Sequence, residues 1–293
     1  MKIIFSRKGF DTEKGGVASP IFPDGRICSL PIPDRTGPVR YKDIQFGRTT
    51  LGRVVHDLTV GRANRYTGNH HAHLDPDLRK EAIPRREGWL PAFGQRNQAR
   101  TLLAENGVGI GDIFLFFGWF RRVEDMGGHL RFAKGQPDIH LLWGWLQVGQ
   151  VFQETSRHPK LPLWASFHPH VGENDDWRAE GKVNNTLFVA AKRLKLPGRR
   201  LQIPGAGVYT KYHPVLQLTE PGKSRRNWRL PAWIYPGHNK PPLTYHRDKK
   251  RWKKDERGVV LRTVSRGQEF VLDTEYYPQA YKWLAGLFKV AAS

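Results

Sequence analysis

Two apolar runs, separated by a polar and basic connector, dominate the hydrophobic pattern of this chain. The first run covers residues 113–120 and follows a turn formed by Gly111 and Asp112. The second covers residues 141–152 and also carries several aromatic side chains. Continuous apolar runs that are bounded by turn residues and rich in aromatic side chains favour buried β-strands. We therefore predict a small, closed sheet around these two strands, with an aromatic interior.

Shorter patterns extend this prediction on both sides. An apolar stripe over residues 95–106 predicts a helix that Gly107 ends, and a second stripe predicts a helix over residues 278–290. Further strands are predicted over residues 2–6, 185–194, 215–218, 228–235, 259–264 and 269–272. The pattern as a whole predicts an α+β protein with a mixed, barrel-like sheet core, peripheral helices and long loops.

The domain organisation is read from breaks in composition. The 293 residues are enough for one large domain or two ordinary ones. We predict a single domain over residues 1–293, with a soft boundary near 172–182. Residues 223–257 form a basic insertion, with twelve Lys or Arg against three acidic residues. Its aromatic side chains indicate that this insertion is at least partly ordered.

The charge balance indicates which kind of molecule the protein binds. Lys and Arg number 48 against 27 Asp and Glu, which gives a net charge of +21 and indicates a polyanionic partner such as nucleic acid or a nucleotide. A single cysteine, Cys28, excludes an intrachain disulfide and a cysteine-based zinc site. The sequence has no 18-residue apolar run and no signal-peptide pattern at its start, so we predict a cytoplasmic protein without membrane contact.

One histidine- and aspartate-rich segment carries the clearest candidate chemistry. In an extended chain, His71, His73, Asp75 and Asp77 alternate onto one side, where two imidazoles and two carboxylates would bind a divalent ion or transfer protons. A metal site also needs distant ligands, for which His168 and His170 are candidates. The alternative is a solvated loop in which Asp75 begins a short helix and Pro76 occupies its first position.

The end of the first predicted strand offers a second candidate site. Arg7 and Lys8 precede a glycine-containing loop, an arrangement that presents two cations and backbone N–H groups to a phosphate. Asp11 follows and would orient a hydroxyl or act as a base. The spacing is neither that of a Walker loop nor that of a dinucleotide-binding fingerprint. A plain strand-to-loop transition with surface cations is the alternative interpretation.

Tryptophan and basic side chains complete the candidate set. Trp119, Trp143 and Trp145 would stack on a base, with Trp143 and Trp145 predicted to share one face of their strand. Basic runs would contact the phosphate backbone and make binding depend on salt. The alternatives are that the rings belong to the core and that the basic runs are solvated faces. The basic residues concerned are Arg225, Arg226, Lys249, Lys250 and Arg251.

Several of these stretches resemble the third of the nucleotide modification associated domain families. The stretches are residues 1–11, Gly15 and Gly16, residues 19–21, 30–34, 73–78, 93–95 and 111–118. The resemblance implies a role in the modification of bases in nucleic acids and does not imply a particular reaction. A shorter likeness, over residues 111–118 and 144–148, is similar to PUA-like domains. That likeness implies a small barrel that holds a modified or flipped base near Trp119 and Trp143.

Taken together, these observations predict a nucleotide- or base-binding protein of a nucleic-acid base-modification system, which recognises or modifies a base in DNA or RNA. Two alternatives stay open: a base-modifying transferase or hydrolase, and a nucleic-acid-binding scaffold without base recognition. No particular metal, cofactor or oligomeric state follows from the sequence. The predicted catalytic residues are Asp11, His71, His73, Asp75 and Asp77. The predicted nucleic-acid-binding residues are Arg7, Lys8, Trp119, Trp143, Trp145, Arg225, Arg226, Lys249, Lys250 and Arg251.

Overall fold

The secondary structure mixes strands and helices along the whole chain. The computed structural model describes residues 1–153, 161–171, 185–199, 201–237 and 239–292. Over these ranges it contains three α-helices and 16 β-strands, which confirms the α+β prediction. No helix in the described ranges is both long and apolar enough to span a bilayer. The predicted soft boundary at 172–182 lies outside the described residues.

The helices are α1 (Leu51–Thr59), α2 (Asn97–Glu105) and α3 (Ala280–Ala292). The strands are β1 (Lys2–Arg7), β2 (Ser19–Ile21), β3 (Pro33–Asp34), β4 (Gln45–Phe46), β5 (Thr49–Thr50), β6 (His71–Ala72), β7 (Ala92–Arg96), β8 (Ile113–Asp125), β9 (Leu130–Phe132), β10 (Ile139–Gln153), β11 (Asn185–Ala190), β12 (Ala206–Val208), β13 (Asn227–Leu230), β14 (Trp252–Asp255), β15 (Gly258–Arg262) and β16 (Glu269–Asp273).

A large mixed sheet organises the molecule. Its main path runs β16-β1-β8-β10-β11-β7, in which β1 and β8 are parallel and the other neighbours are antiparallel. Strands β2 and β9 also pair with β8, and β12 pairs with β10. A separate sheet, ordered β13-β15-β14, takes two of its strands, β13 and β14, from the basic segment 223–257. That segment is therefore at least partly ordered, as its aromatic residues predict.

The large sheet curls without closing. In the part of the chain that the structure describes, no backbone ladder joins its edge strands β7 and β16. Their side chains nevertheless meet, because Gln95 Nε2 on β7 donates a hydrogen bond of 2.5 Å to Glu269 Oε1 on β16. The closed barrel of the sequence prediction is therefore not observed, and a PUA-like fold is not confirmed.

Aromatic side chains fill the inside of the curl. Phe93, Phe114, Phe116 and Phe188 form a contact group with ring centroids 4.9–6.1 Å apart. Such offset and edge-on contacts add to the stabilisation that comes from burying apolar surface. At one end of the curl, β1, β7 and β16 carry the buried polar residues Ser6, Gln95 and Glu269.

A β-bulge at Trp143 separates the two predicted stacking tryptophans. Leu142 pairs with Phe117, but Gly144 pairs with Phe116, so Trp143 is an extra residue in β10. An inserted residue reverses the alternation of faces along a strand. Trp143 consequently stacks on Phe116 inside the curl, whereas Trp145 packs outside it, against Tyr209 and Phe288. The expectation that Trp143 and Trp145 share a face is wrong for this reason.

Several local predictions can be compared directly with the structure. The predicted helices correspond to α2 and α3, and Gly107 takes a positive φ just beyond α2. Residues 215–218 were expected to form a strand, but Pro214–Leu216 is a 3-10 helix. No helix begins at Asp75, whose peptide bond to Pro76 is cis. Helix α1 is absent from the predictions, although its buried side chains have helical spacing.

Candidate functional site

Four side chains from two distant segments meet at the polar end of the curled sheet. His73 and Asp75 come from the loop after β6, and His168 and His170 follow the 3-10 helix Leu163–Phe167. His168 Nε2 lies 3.3 Å from Asp75 Oδ1, and His170 Nε2 lies 3.7 Å from Asp75 Oδ2. His73 Nε2 lies 3.2 Å from His170 Nε2. We call these four residues the His–Asp cluster.

Hydrogen bonds on the far side of each ring fix two of the imidazole tautomers. Asp34, an acceptor, lies 3.1 Å from His73 Nδ1, which therefore donates its proton. The Asn185 amide nitrogen donates to the His170 carbonyl, so the amide oxygen faces His170 Nδ1 at 2.9 Å and accepts from it. In the neutral rings both Nε2 atoms then carry a lone pair, and these two atoms face each other.

His168 and Gly94 hold the carboxylate of Asp75 from one side. The backbone N–H of Gly94 donates to Asp75 Oδ1 at 2.7 Å. His168 Nδ1 accepts from the His170 backbone N–H, so the His168 proton lies on Nε2, the atom that faces Asp75 Oδ1. A side chain at position 94 would collide with the His170 ring, because a Cβ there would approach it to 2.2 Å. Asp75 Oδ2 is left facing His170.

The protonation of the cluster follows from burial and neighbouring charge. Burial alone would raise the pKa of Asp75, but the neighbouring His168, His170 and Lys8 hold it below its usual range. Burial lowers the pKa of His170 to about 3, so this ring is neutral at neutral pH. The hydrogen bond to His73 lowers the pKa of Asp34 to about 2. The cluster therefore contains one ionised carboxylate, that of Asp75, and at least one neutral imidazole, that of His170.

A second carboxylate lies beside the cluster, inside the curl. Glu269 Oε1 accepts hydrogen bonds from Ser6 and Gln95 and lies 3.6 Å from Lys8 Nζ. Glu269 Oε2 is buried and has no hydrogen-bond partner in the described part of the chain. Burial raises the pKa of Glu269, and the nearby Asp75 charge adds to this effect. Asp75 and Glu269 are thus two neighbouring carboxylates whose surroundings shift their pKa values in opposite directions.

A small cavity adjoins Asp75. It has a volume of about 50 Å³, and its lining includes Gly9, Ser29, Leu78 and Trp143. Trp143 Nε1 is buried and lacks a hydrogen-bond partner among the described residues. A cavity needs roughly 10–15 Å³ to hold one water, so this cavity admits a few waters and not a heterocyclic base.

Three of the predicted catalytic residues lie outside the cluster and have other partners. Asp77 forms a bidentate pair with Arg85, at 2.6 Å for both bonds, and also accepts from Trp89. His71 Nδ1 contacts the carbonyl of Gly37. Asp11 Oδ1 closes a tight turn by accepting from the backbone N–H groups of residues 13 and 14. Of the five predicted catalytic residues, the structure brings together only His73 and Asp75.

Lys8 does not lie at the surface, where its predicted role as a phosphate contact would place it. Its side chain is one-tenth exposed and lies between Glu269 and the ring of Phe93, 4.5 Å from the centroid of that ring. Successive residues of a strand point to opposite faces, so Lys8 enters the curl while Arg7 leaves it. Lys8 therefore belongs to the site inside the curl and not to the predicted phosphate-binding surface.

The outer face of the sheet carries several of the predicted nucleic-acid-binding residues. We define the Trp119 face as Arg7, Asp11, Trp119, Arg225 and Arg226. The guanidinium carbon of Arg225 lies 4.2 Å from the centroid of the Trp119 ring. Burial, together with the charges of Arg7 and Arg226, lowers the pKa of Arg225, while Asp138 and Asp11 oppose this effect. Crowded cations of this kind favour the binding of an anion.

Unpaired polar atoms accompany this face. Trp119 Nε1, Arg121 Nε and Asp138 Oδ1 are buried, and in the described ranges they have no hydrogen-bond partner. Trp119 and Arg121 are two residues apart on β8, and Asp138 directly precedes β10, which pairs with β8. Buried polar groups normally have partners, so three orphans together indicate a position where water or a ligand completes the bonding.

The remaining predicted binding residues do not form one surface. Trp145 is only 4% exposed and donates to the Pro204 carbonyl, which corrects its predicted role as an open stacking platform. Trp143 is 7% exposed and reaches the small cavity instead. Lys249 and Lys250 are exposed on a 3-10 helix, and Arg251 donates to the Arg262 carbonyl. Phosphate contact by these last three residues stays a prediction.

A family comparison agrees with the resemblance noted from the sequence. The model of the family called nucleotide modification associated domain 3 matches residues 2–273. The chain belongs to this family. No curated protein and no solved structure matches the chain. The family name implies a role in nucleotide modification systems, and with it the involvement of a nucleotide or nucleic acid.

Sequence patterns alone missed four members of the candidate site, namely Asp34, Gln95, Asn185 and Glu269. Asp34 and Gln95 appear in the sequence analysis only as parts of the stretches that carry the family resemblance, without a predicted role. Glu269 gives the one residue-level signal, because it is a charged residue that begins an otherwise apolar strand. Asn185 carries no signal that separates it from an ordinary strand residue.

Proposed function

We propose that the chain recognises a nucleotide, or a base within DNA or RNA, and modifies it at the His–Asp cluster. One observation supports this most directly: Arg7, the last residue of β1, and Lys8, which follows it, reach the two candidate surfaces. Arg7 belongs to the Trp119 face, and Lys8 lies beside Asp75 and Glu269. A phosphate chain bound over the Trp119 face would thus pass close to groups that can transfer protons.

The basic face fits the phosphate half of this substrate. Guanidinium groups bind phosphate in bidentate fashion and stay charged at all physiological pH values. Arg225 and Arg226 crowd the same region as Arg7, and an aromatic ring lies directly under Arg225. An indole beside arginines also offers a stacking surface for a base. The net charge of +21 would draw the same polyanions toward the molecule.

The His–Asp cluster fits the reacting half. An enzyme that transfers protons at neutral pH needs one ionised base and one protonated acid, which differing surroundings provide. Asp75 and Glu269 are the candidate proton-transfer groups, because Glu269, with its raised pKa, takes up a proton more readily than Asp75, with its lowered pKa. Because the cavity beside Asp75 admits only waters, the base would be presented at its rim, near the partly exposed His73. The reaction class we favour is group transfer to a base or hydrolysis.

The first experiment tests the binding surface by fluorescence anisotropy with labelled DNA and RNA oligonucleotides. The double variant Arg225→Glu/Arg226→Glu should weaken binding by about tenfold or more and reduce its salt dependence. The matched control, Lys282→Glu/Lys289→Glu, has the same net charge but changes exposed residues of α3. Equal losses in both double variants would show that only net charge matters and would contradict the proposed face.

The second experiment tests the chemistry by mass spectrometry of nucleosides from cells that produce the chain. A changed nucleoside should appear with the natural chain and disappear with Asp75→Asn, while oligonucleotide affinity stays nearly intact. If no carboxylate is needed and Trp143→Ala lowers affinity for a modified base, the chain is a binding module. Equal affinity for modified and unmodified oligonucleotides, without any changed nucleoside, would favour a scaffold.

A further inference from the structure

We propose that His73, Asp75 and His170 bind one divalent transition-metal ion, with His168, Asp34 and Asn185 as the groups that orient these ligands. This inference goes beyond the nucleotide function and does not depend on it. The ligand atoms of His73, Asp75 and His170 all lie within 4.8 Å of one another. Two come from one loop and the third from a segment about a hundred residues away, which answers the need for a distant ligand.

The two histidine rings are each oriented by an oxygen acceptor on the side away from the other ring. His73 and His170 each donate Nδ1–H to an oxygen acceptor, so in the neutral rings their Nε2 lone pairs point toward each other across 3.2 Å. Two lone pairs at this distance repel unless a cation lies between them. Either a proton or a metal ion relieves this repulsion, and a third donor close by favours the metal ion.

Asp75 supplies that third donor. Its Oδ1 atom is already engaged by Gly94 and faces the Nε2–H of His168, whereas Oδ2 faces His170 Nε2 at 3.7 Å. Ligands about 2.0–2.1 Å from a tetrahedral Zn²⁺ are about 3.4 Å apart, close to two of the separations seen here.

The surrounding groups match those of natural metal sites. A ligating histidine commonly donates its other N–H to a carboxylate or a carbonyl oxygen, which fixes the ring and raises its basicity. Asp34 has this relation to His73, and Asn185 has it to His170. His168 cannot ligate as it stands, because its Nε2 carries the proton, and it acts by holding the Asp75 carboxylate. Gly94 leaves the space that the His170 ring occupies.

The ligand set selects the kind of ion. Two imidazoles and one carboxylate suit Zn²⁺, Fe²⁺, Co²⁺ and Mn²⁺ better than Ca²⁺ or Mg²⁺, which need more oxygen ligands. Three protein ligands leave at least one coordination position open, as in catalytic and not in closed structural sites. The open position allows a water or a substrate atom to bind the ion.

The test measures metal binding by the full chain, after treatment with a chelator and dialysis. Titration with Co²⁺, followed by its visible absorption, and with Zn²⁺, followed by calorimetry, should give one ion per chain with a dissociation constant in the micromolar range or tighter. His73→Gln and Asp75→Asn should each weaken Co²⁺ binding by about a hundredfold. Asp34→Asn, which alters a partly exposed residue outside the ligand set, should weaken it by about 10–100-fold.

His71→Gln is the matched control, because His71 lies two residues from His73 and contacts only a backbone carbonyl through Nδ1. This variant should bind Co²⁺ as the natural chain does. Circular dichroism on each variant verifies folding, and the Asp34→Asn variant keeps the test valid if a buried substitution unfolds the chain. Absence of one-to-one Co²⁺ binding, or an equal loss in His71→Gln and His73→Gln, would overturn the proposal.

Discussion

Lys8 Nζ lies 3.6 Å from Glu269 Oε1, and both groups are enclosed by the curled sheet. The pair connects β1 to its antiparallel neighbour β16 at the end where the His–Asp cluster lies. A buried ion pair contributes little net stability, because both ions lose hydration, but removing one partner leaves the other charge uncompensated. This asymmetry makes the pair testable by paired substitutions.

Substituting either member of this pair alone should cost more than substituting both. We expect Glu269→Gln to lower the free energy of unfolding by about 2–4 kcal/mol, since the Lys8 ammonium loses its counter-ion. The double variant Lys8→Met/Glu269→Gln should recover part of that loss. Urea unfolding of the two single variants and the double variant gives the coupling energy. Strictly additive losses would contradict a direct interaction between the two groups.

The buried pair between Asp77 and Arg85 should matter for stability and not for chemistry. Asp77→Asn removes the charge that pairs with a nearly buried guanidinium, so we expect a loss of about 3 kcal/mol in urea unfolding. Glu81→Gln is the surface control, because Glu81 is mostly exposed and lies 3.7 Å from Arg79. That variant should change stability by less than about 1 kcal/mol. Loss of Co²⁺ binding in a folded Asp77→Asn variant would show that Asp77 belongs to the site after all.

Acid should weaken the fold through His140. Burial lowers the pKa of His140 to about 3, and its Nδ1 accepts from the Trp228 indole at 2.9 Å. Below the unfolded pKa of about 6.5 the unfolded chain binds a proton that the folded chain refuses, so stability falls as pH drops toward 3. Between about pH 6.5 and about pH 5 this group alone should remove roughly 2 kcal/mol.

The His140 effect can be isolated with His140→Asn, whose amide oxygen replaces Nδ1 as an acceptor. The variant should lose less stability than the natural chain when urea unfolding is repeated at lower pH. His213→Asn is the control, because His213 is exposed and Asn also caps the helix that it begins. Parallel pH profiles for the natural chain and His140→Asn would contradict the assignment.

Glycine substitutions at two positions should have opposite effects. A Cβ at Gly94 would lie 2.2 Å from the His170 ring, so Gly94→Ala should displace that ring, lower stability by about 1–3 kcal/mol and weaken Co²⁺ binding. Gly286 lies inside α3 with nothing near its Cβ position. Gly286→Ala should raise stability by about 0.5–1 kcal/mol. Thermal unfolding and Co²⁺ titration of both variants check these outcomes, and unchanged Co²⁺ binding in Gly94→Ala would be the contrary result.

Features of the fold that depend on residues close in sequence could be predicted, whereas features that depend on residues far apart in sequence could not. Periodicity and turn residues placed the two long strands, α2 and α3, because these features are encoded within short windows. The bulge at Trp143 was invisible, since an inserted residue shows itself only against the partner strand. The curl without closure depends on how β7 and β16 meet, and that too is a relation between distant residues.

The candidate site shows the same division. The spacing of His73 and Asp75 identified them, and an alternating pattern also included His71 and Asp77, which the folded chain directs to other partners. The sequence offered His168 and His170 as candidate distant ligands. Nothing in it showed which of the two would lie close enough to His73 and Asp75 to ligate with them. Glu269 was missed because a single charge in an apolar strand becomes informative only when its burial is known.

The junction of Arg7 and Lys8 has a consequence for substrate selection. Arg7 ends β1, and Lys8 follows it with its N–H donating to the Phe117 carbonyl, so the two side chains leave the backbone at adjacent, fixed points. The distance between one outer cation and one inner cation is therefore limited by the backbone at the end of β1. The site would then accept only molecules in which the distance between the anionic end and the reactive end matches this separation.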